Sequence, residues 1–137
     1  MMIDERMAAF IGSFDTGSTP FLDGLESQAL ADNVPIIRSD TQDLLKLLVT
    51  MKRPLRILEV GCAVGFSALL MSEYAPDECH IITIEKYEKR IPVARENFKK
   101  AGKEERITLL EGDAMDILKE LEGGFDFIFM DAAKGQY

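Results

Sequence analysis

Tryptophan is absent from this chain of 137 residues, histidine occurs once and cysteine occurs twice. Neither Cys62 nor Cys79 has the spacing of a metal site, and two thiols give no disulfide framework. No apolar run approaches the roughly 20 residues that cross a bilayer, and the acidic residues Asp4 and Glu5 are unlike the start of a secretory signal. The sequence therefore predicts a cytoplasmic protein that has no membrane partner.

An excess of basic residues is also lacking, since the formal net charge is −8 at pH 7. An acidic balance argues against broad binding of phosphates, although a local basic patch can still bind nucleic acid. The basic residues cluster at 86–90 and 99–103, in the mixed-charge pattern of a solvated helix face. The length suits one domain with its own core.

Four apolar stretches predict β-strands, and each delivers an acid at or just past its end. They are 56–59 (RILE), 80–85 (HIITIE), 106–113 (RITLLEGD) and 125–131 (FDFIFMD). Strands that alternate with helical patterns predict a parallel sheet covered on both faces. We therefore expect an α/β fold with a Rossmann-like, doubly wound parallel sheet in a single domain over 1–137. Helices would occupy 1–53, and cofactor-binding βα units would occupy 54–137.

The fourth predicted strand is intensely apolar over 125–130 (FDFIFM). Such a strand belongs in the middle of a sheet rather than at its edge. The sequence therefore predicts an incomplete domain that has its first four strands and lacks the last ones.

Two patterns predict helix starts before the sheet. Thr19 followed by Pro20 is a cap with proline at the first helical position. Ser39 with Gln42 three residues later is the pattern of a capping box. The helix that it opens should bury a broad apolar stripe, which consists of Leu44, Leu45, Leu47, Leu48 and Met51.

The first predicted strand runs directly into a glycine turn at 61–67 (GCAVGFS). A strand, a glycine turn and a helix, with an acid at the tip of the next strand, hold nucleoside-bearing cofactors in parallel sheets. The dinucleotide fingerprint has a glycine where this chain has Ala63, which disfavours a diphosphate and hence a nicotinamide oxidoreductase. S-adenosylmethionine carries no phosphate, and its carboxylate suits backbone N–H groups and the Ser67 hydroxyl at a helix start.

Acids at the later strand tips extend this interpretation. Glu85 can accept hydrogen bonds from both hydroxyls of a ribose. Asp113 either meets an adenine or caps the following helix. Asp131 lies at the carboxyl end of the fourth strand. Lys134 either faces the same ligand pocket as Asp131 or forms a surface salt bridge with Asp131.

Five motifs together resemble the cation-dependent O-methyltransferases of the catechol and caffeoyl-CoA types. They are 57–61 (ILEVG), 65–68 (GFSA), 83–85 (TIE), 112–114 (GDA) and 126–137 (DFIFMDAAKGQY). The resemblance runs from about residue 19 to the end of the sequence. Within the family, 34–37 (VPII) and 132–137 (AAKGQY) are most similar to bacterial enzymes that methylate 5-hydroxyuridine at a tRNA wobble position.

The resemblance implies a role for each matching position. Ser67 and the Gly61 backbone would hold the methionine end of S-adenosylmethionine above Glu59. The ribose would bind Glu85, and the adenine would contact Asp113 and the Ala114 backbone. The cofactor pocket would also be lined by Ile37 and Asp131. Asp131 would be a Mg²⁺ ligand, and Lys134 would be the general base.

Methyl transfer to a hydroxyl requires that the acceptor oxygen lose its proton, which Mg²⁺ and a lysine of lowered pKa would assist. Members of the resembled family continue past this point and supply an Asp–Asn pair that completes the six oxygen ligands of the metal. We therefore expect this chain to be inactive by itself.

The sequence leaves open which substrate the protein uses, and whether this chain is an enzyme or only a binding module. The resemblance favours a tRNA wobble nucleoside over a small catechol, although the acidic charge points the other way. A homodimer is expected, because an exposed fourth strand can pair with a second copy. A catalytically inactive fragment that only binds the cofactor or associates with itself is the alternative from another class.

Overall fold

The computed structural model describes residues 4–12 and 18–131. Within these ranges six helices and four strands follow one another along the chain. They are α1 (Glu5–Gly12), α2 (Pro20–Ala31), α3 (Ser39–Lys52), β1 (Arg56–Val60), α4 (Phe66–Tyr74), β2 (His80–Glu85), α5 (Ile91–Lys100), β3 (Ile107–Glu111), α6 (Ala114–Glu120) and β4 (Phe127–Met130).

The four strands form one parallel sheet in the order β3-β2-β1-β4. The order runs down from β3 to β1 and then jumps to β4, so the switch point of the topology lies at the carboxyl end of β1. Ligands of open α/β sheets bind in the crevice at such a switch point. The Rossmann-like sheet predicted from the sequence is confirmed, and its topology places the glycine turn at the point where a ligand is expected.

Alternating residues of β1 face two different parts of the core. Ile57 lies in the larger cluster, which joins the sheet to α3, α4 and α5. Leu58 and Val60 lie in a smaller cluster on the opposite face, together with α6. Both faces of the sheet are therefore packed, as a parallel sheet requires.

Strand β4 pairs with β1 and lies at one edge of the sheet in the described part of the chain. Phe127 and Phe129 pack against the larger core cluster. Ile128 and Met130 point the other way and are 58% and 44% exposed. The central position expected for this strand is therefore not reached among the described residues.

A carboxylate fastens the start of β4 to the start of β1. Asp126 accepts hydrogen bonds from the backbone N–H groups of Leu55 at 2.9 Å and Arg56 at 3.0 Å. The Arg56 side chain donates to the Gly123 carbonyl at 2.8 Å and lies over the Phe125 ring. These contacts join segments about 70 residues apart and set the register of the two strands.

The N-terminal helices confirm one predicted start and correct another. The Thr19 hydroxyl accepts from the Leu22 N–H at 3.2 Å, with Pro20 at the first helical position, as predicted. The capping box at Ser39 and Gln42 is wrong: Arg38 occupies the cap position, no side chain caps α3, and Gln42 is buried.

The predicted apolar stripe of α3 is also partly wrong. Leu45 is buried as predicted, but Leu48 and Met51 are 41% and 72% exposed, and the buried face also contains Val49, which the stripe did not include. No helix among residues 4–12 and 18–131 is both long and apolar enough to traverse a bilayer.

Candidate active site

Hydrogen bonds continue the sheet beyond the ends of its strands and bring the predicted site residues to one edge. The Gly61 N–H donates to the Ile84 carbonyl at 2.8 Å. The Asp131 N–H donates to the Val60 carbonyl at 2.9 Å, and a bond of 3.0 Å joins the residue after β3 to the Glu85 carbonyl. Glu85 and Asp131 therefore lie at the same carboxyl edge of the sheet, while their convergence on one ligand stays a prediction.

The glycine turn bends through left-handed backbone at three positions. Gly61 and Gly65 both have φ of 91°, and Ala63 has φ of 48°. A Cβ atom added to Gly65 would lie 2.6 Å from a ring carbon of Phe98. Glycine is therefore required at position 65 both for its backbone angle and for the close approach of α5.

Side chains from two other parts of the chain hold the middle of this turn. The buried Asn97 donates from Nδ2 to the Val64 carbonyl at 2.8 Å. The Val64 side chain packs with Ala29 and Val34, which belong to the end of α2 and the segment that follows it. The turn is thus held between α5 and the N-terminal part of the chain.

The carboxylate of Glu59, at the end of β1 just before the turn, is fully buried, while its predicted place beneath the methionine end of a cofactor stays a prediction. It accepts hydrogen bonds from the Ser67 hydroxyl and, at 2.6 Å, from the Thr83 hydroxyl. Burial raises the pKa of Glu59 to about 7, the two hydrogen bonds counteract this, and the charges of Asp131 and Glu85 raise it further. Glu59 therefore changes its protonation near neutral pH.

Ser67 donates a hydrogen bond to this carboxylate and is only 6% exposed. In this structure its hydroxyl serves the buried acid. Its predicted contact with the methionine end of a cofactor stays a prediction, as does that of the Gly61 backbone.

Glu85 lies at the tip of β2 directly beside the turn. Burial raises the pKa of this half-buried carboxyl group, while hydrogen bonds from the backbone N–H groups of Ala63 and Lys86 lower it. Burial likewise raises the pKa of Asp131. Glu85, which is partly buried, and Asp131, which is exposed, therefore lie at the same edge of the sheet as the turn.

Asp113 has the helix-capping role that the sequence left open. Its Oδ1 accepts from the Met115 N–H at 2.9 Å, and Lys86 Nζ lies 3.7 Å from its other oxygen. Ala114 begins α6 and is buried. The contacts of both residues with an adenine stay predictions.

Ile37 is partly buried and packs against the core cluster that contains Cys62 and Phe66 of the glycine turn. This places the N-terminal segment beside the turn, while the contact of Ile37 with a cofactor stays a prediction.

Cys62 is 3% exposed, and burial raises the pKa of its thiol. A protonated, buried thiol agrees with its interpretation as a space-filling residue rather than a nucleophile.

The residues described here do not form a magnesium site. Asp131 is the predicted ligand, whereas residues 132–137, Lys134 among them, lie outside the described residues. No cluster of three or more His, Cys, Asp or Glu side chains in the described part could hold a metal ion. Because Mg²⁺ takes close to six oxygen ligands, the described donors do not complete a site for it.

The structural roles of three residues were not predicted from the sequence. Thr83 lies opposite Glu59 in the β1–β2 register, Asn97 holds the turn, and Gln42 is the buried amide of α3. The available signal was a polar residue at a position that the apolar pattern assigns to the core: Thr83 within HIITIE, and Asn97 between Ala94 and Phe98.

Comparison with known proteins agrees with this geometry. The sequence model of the family described as O-methyltransferase matches residues 19–137. A catechol O-methyltransferase of Mycobacterium tuberculosis is 34% identical over 129 residues, which are 92% of this chain and 59% of that protein. A caffeoyl-CoA O-methyltransferase of Eucalyptus globulus is 32% identical over 114 residues, which are 77% of this chain and 45% of that protein.

Solved structures show the same relationship. The SAH-bound methyltransferase PaMTH1 of Podospora anserina superposes with a TM-score of 0.82 at 33% identity, over 96% of this chain and 60% of that one. An O-methyltransferase of Bacillus cereus in complex with SAH superposes with a TM-score of 0.77 at 26% identity, over 93% and 60%. The chain thus spans about 60% or less of the length of these relatives. On its sequence, its fold and the arrangement of its strand ends, the chain belongs to the O-methyltransferase family.

Proposed function

We propose that this chain is the cofactor-binding part of an S-adenosylmethionine-dependent O-methyltransferase. The observation that carries the proposal is the half-buried Glu85 at the tip of β2, held against the glycine turn at the switch point of the sheet. A carboxylate there suits the two hydroxyls of a ribose. Both solved structures named above are bound to SAH, the product that remains after S-adenosylmethionine has given up its methyl group.

The residues of this chain would bind and orient the methyl donor. Glu85 would accept from the ribose hydroxyls, and Asp113 with the Ala114 backbone would contact the adenine. The turn at 61–67 would receive the methionine end, with Ile37 on its N-terminal side. S-adenosylmethionine supplies an electrophilic methyl group on a sulfonium sulfur.

In the reaction, an oxygen–carbon bond forms as the carbon–sulfur bond breaks, and the acceptor hydroxyl gives up its proton to a base. Lys134 is our proposal for that base, and Asp131 for a residue near the transferred methyl group. We also propose that Asp131 is a ligand of Mg²⁺. This proposal predicts that the binding of Mg²⁺ to the chain, measured by calorimetry, is lost in an Asp131→Asn variant.

A small hydroxylated aromatic compound is the substrate that we favour. The two sequence relatives named above are a catechol and a caffeoyl-CoA O-methyltransferase, and the net charge of −8 disfavours a polyanion. The tRNA wobble nucleoside favoured by the sequence resemblance is the second candidate, and it rests on the 34–37 and 132–137 motifs.

We also propose that the chain forms a homodimer. Sedimentation as a monomer at high concentration would contradict this proposal.

Titration calorimetry tests the proposed cofactor. We expect the chain to bind S-adenosylmethionine and SAH but not NAD⁺, and Glu85→Gln to weaken this binding by about tenfold or more, because the ribose loses a charged acceptor. Glu88→Gln removes an exposed carboxylate three residues away and is the matched control. Binding of NAD⁺ in preference to S-adenosylmethionine would contradict the proposal.

Methyl transfer separates the remaining alternatives. Purified chain, labelled S-adenosylmethionine and Mg²⁺ are incubated with a catechol or with tRNA that carries 5-hydroxyuridine, and the products are identified by mass spectrometry. Transfer to the catechol supports the favoured substrate, and transfer to tRNA alone overturns it. Cofactor binding without any transfer would agree with the expectation that this chain is inactive by itself, and would favour the alternative of a fragment that only binds the cofactor.

A further inference from the structure

The buried side-chain amide of Gln42 joins three parts of the chain. Gln42 lies in the first turns of α3 and is 6% exposed. Its Nε2 donates to the Glu26 carboxylate of α2 at 2.6 Å and to the Ile37 carbonyl at 2.9 Å. Both protons of one amide group are therefore used, one for a helix and one for the segment between the helices.

The segment that receives the second bond lies against the glycine turn. Val34 is 6% exposed and packs with Val64 of the turn, and Ile36 packs against the same cluster. The two ends of the segment are fixed by backbone bonds of 2.8 Å, from the Val34 N–H to the Ala29 carbonyl and from the Gln42 N–H to the Arg38 carbonyl. The side chain of Gln42 fixes the part between them.

We propose that Gln42 is a positioning residue for the cofactor. By holding the Ile37 carbonyl, it keeps segment 33–38 against the turn at 61–67, so that the cofactor pocket has its N-terminal wall before a ligand arrives. Such preorganisation raises affinity because less ordering is needed on binding. This inference rests on the proposed function, since the ligand whose affinity it affects is the proposed cofactor.

An exchange of side chains separates this role from a merely structural pairing of α2 with α3. In Gln42→Glu, two carboxylates face each other, and the melting temperature should fall. In the double variant Glu26→Gln with Gln42→Glu, the amide and the carboxylate have changed places, so the bond between the helices is restored. The Ile37 carbonyl still faces an acceptor instead of a donor.

We therefore expect the double variant to regain most of the melting temperature while its affinity for SAH stays reduced, by roughly tenfold for one lost hydrogen bond. Amide hydrogen exchange within 34–37, at Val34, Ile36 and Ile37, should remain faster than in the wild type. Gln28→Leu removes an exposed glutamine of α2 that donates to Asp32 at 3.0 Å, and it serves as the matched control.

Recovery of both the melting temperature and the SAH affinity in the double variant would overturn the inference, and so would unchanged exchange at 34–37. A wild-type chain that binds neither SAH nor S-adenosylmethionine would instead contradict the proposed function. In that case the exchange measurement alone decides whether Gln42 holds the segment: faster exchange in the double variant supports the restraint, and unchanged exchange refutes it.

Discussion

Glu59 should make the stability of this protein fall as the pH rises from 5 to 8. Its pKa is raised from 4.5 to about 7 in the folded state, chiefly by burial. Because the folded protein holds this proton more tightly than the unfolded chain, the stabilisation is complete below about pH 4.5 and is lost as the pH rises through about 7. At 1.36 kcal/mol per pKa unit, the shift corresponds to about 3 kcal/mol.

The variant Glu59→Gln isolates this effect. Glutamine has the shape of the protonated acid and can hydrogen-bond to both the Ser67 and the Thr83 hydroxyls without becoming charged. Urea unfolding at pH 5, 6, 7 and 8 should show the variant close to the wild type at pH 5 and more stable by about 3 kcal/mol at pH 8. Groups that do not interact with Glu59 titrate alike in both proteins and cancel in the difference.

An exposed carboxylate provides the comparison. Glu78→Gln should change the unfolding free energy by no more than about 0.5 kcal/mol at every pH. If the difference between wild type and Glu59→Gln is the same at pH 5 and pH 8, the buried acid is ionised throughout, and the reasoning from burial is refuted.

Three further substitutions test the supports of the site by urea unfolding. Thr83→Val removes a donor to the buried acid and should cost roughly 1–3 kcal/mol, more at pH 8 than at pH 5; an equal loss at both values would contradict this. Gly65→Ala should cost about 2 kcal/mol or more, because of its φ of 91° and the ring of Phe98, whereas Gly24→Ala, in open space within α2, should stabilise by roughly 0.5–1 kcal/mol. Asp126→Asn should destabilise by on the order of 1 kcal/mol at pH 7. Burial opposes the lowering of the Asp126 pKa, but the hydrogen bonds from the backbone N–H groups of Leu55 and Arg56 prevail. This stabilisation should therefore be lost as the pH falls below the ordinary pKa of 3.8.

The architecture of the sheet could be predicted because its signals are local. Each strand is an apolar run that ends in an acid, each is separated from the next by a helical pattern, and parallel strands place their carboxyl ends at one edge. These rules suffice to bring Glu59, Glu85 and Asp131 together. The cap formed by Thr19 and Pro20 is equally local and was predicted correctly.

The supports of the site depend on contacts between distant residues, which a single sequence does not reveal. Ser39 and Gln42 have the spacing of a capping box, yet Gln42 turns inward because Glu26, sixteen residues earlier, and the Ile37 carbonyl accept its protons. The stripe of α3 was misassigned for a related reason: Leu48 and Met51 satisfy the helical period, but the described elements that pack on α3 leave them exposed.

The position of β1 between β2 and β4 has a consequence for how the chain folds during synthesis. Its partner β2 follows after a single helix, whereas Asp126, which fastens β4 to Arg56, emerges 70 residues later. At a translation rate of roughly 5–20 residues per second, the edge of β1 that pairs with β4 stays unpaired for about 4–14 s after β1 has been synthesised. We expect this interval to be the period in which the nascent chain is most open to chaperones and to pairing with other chains.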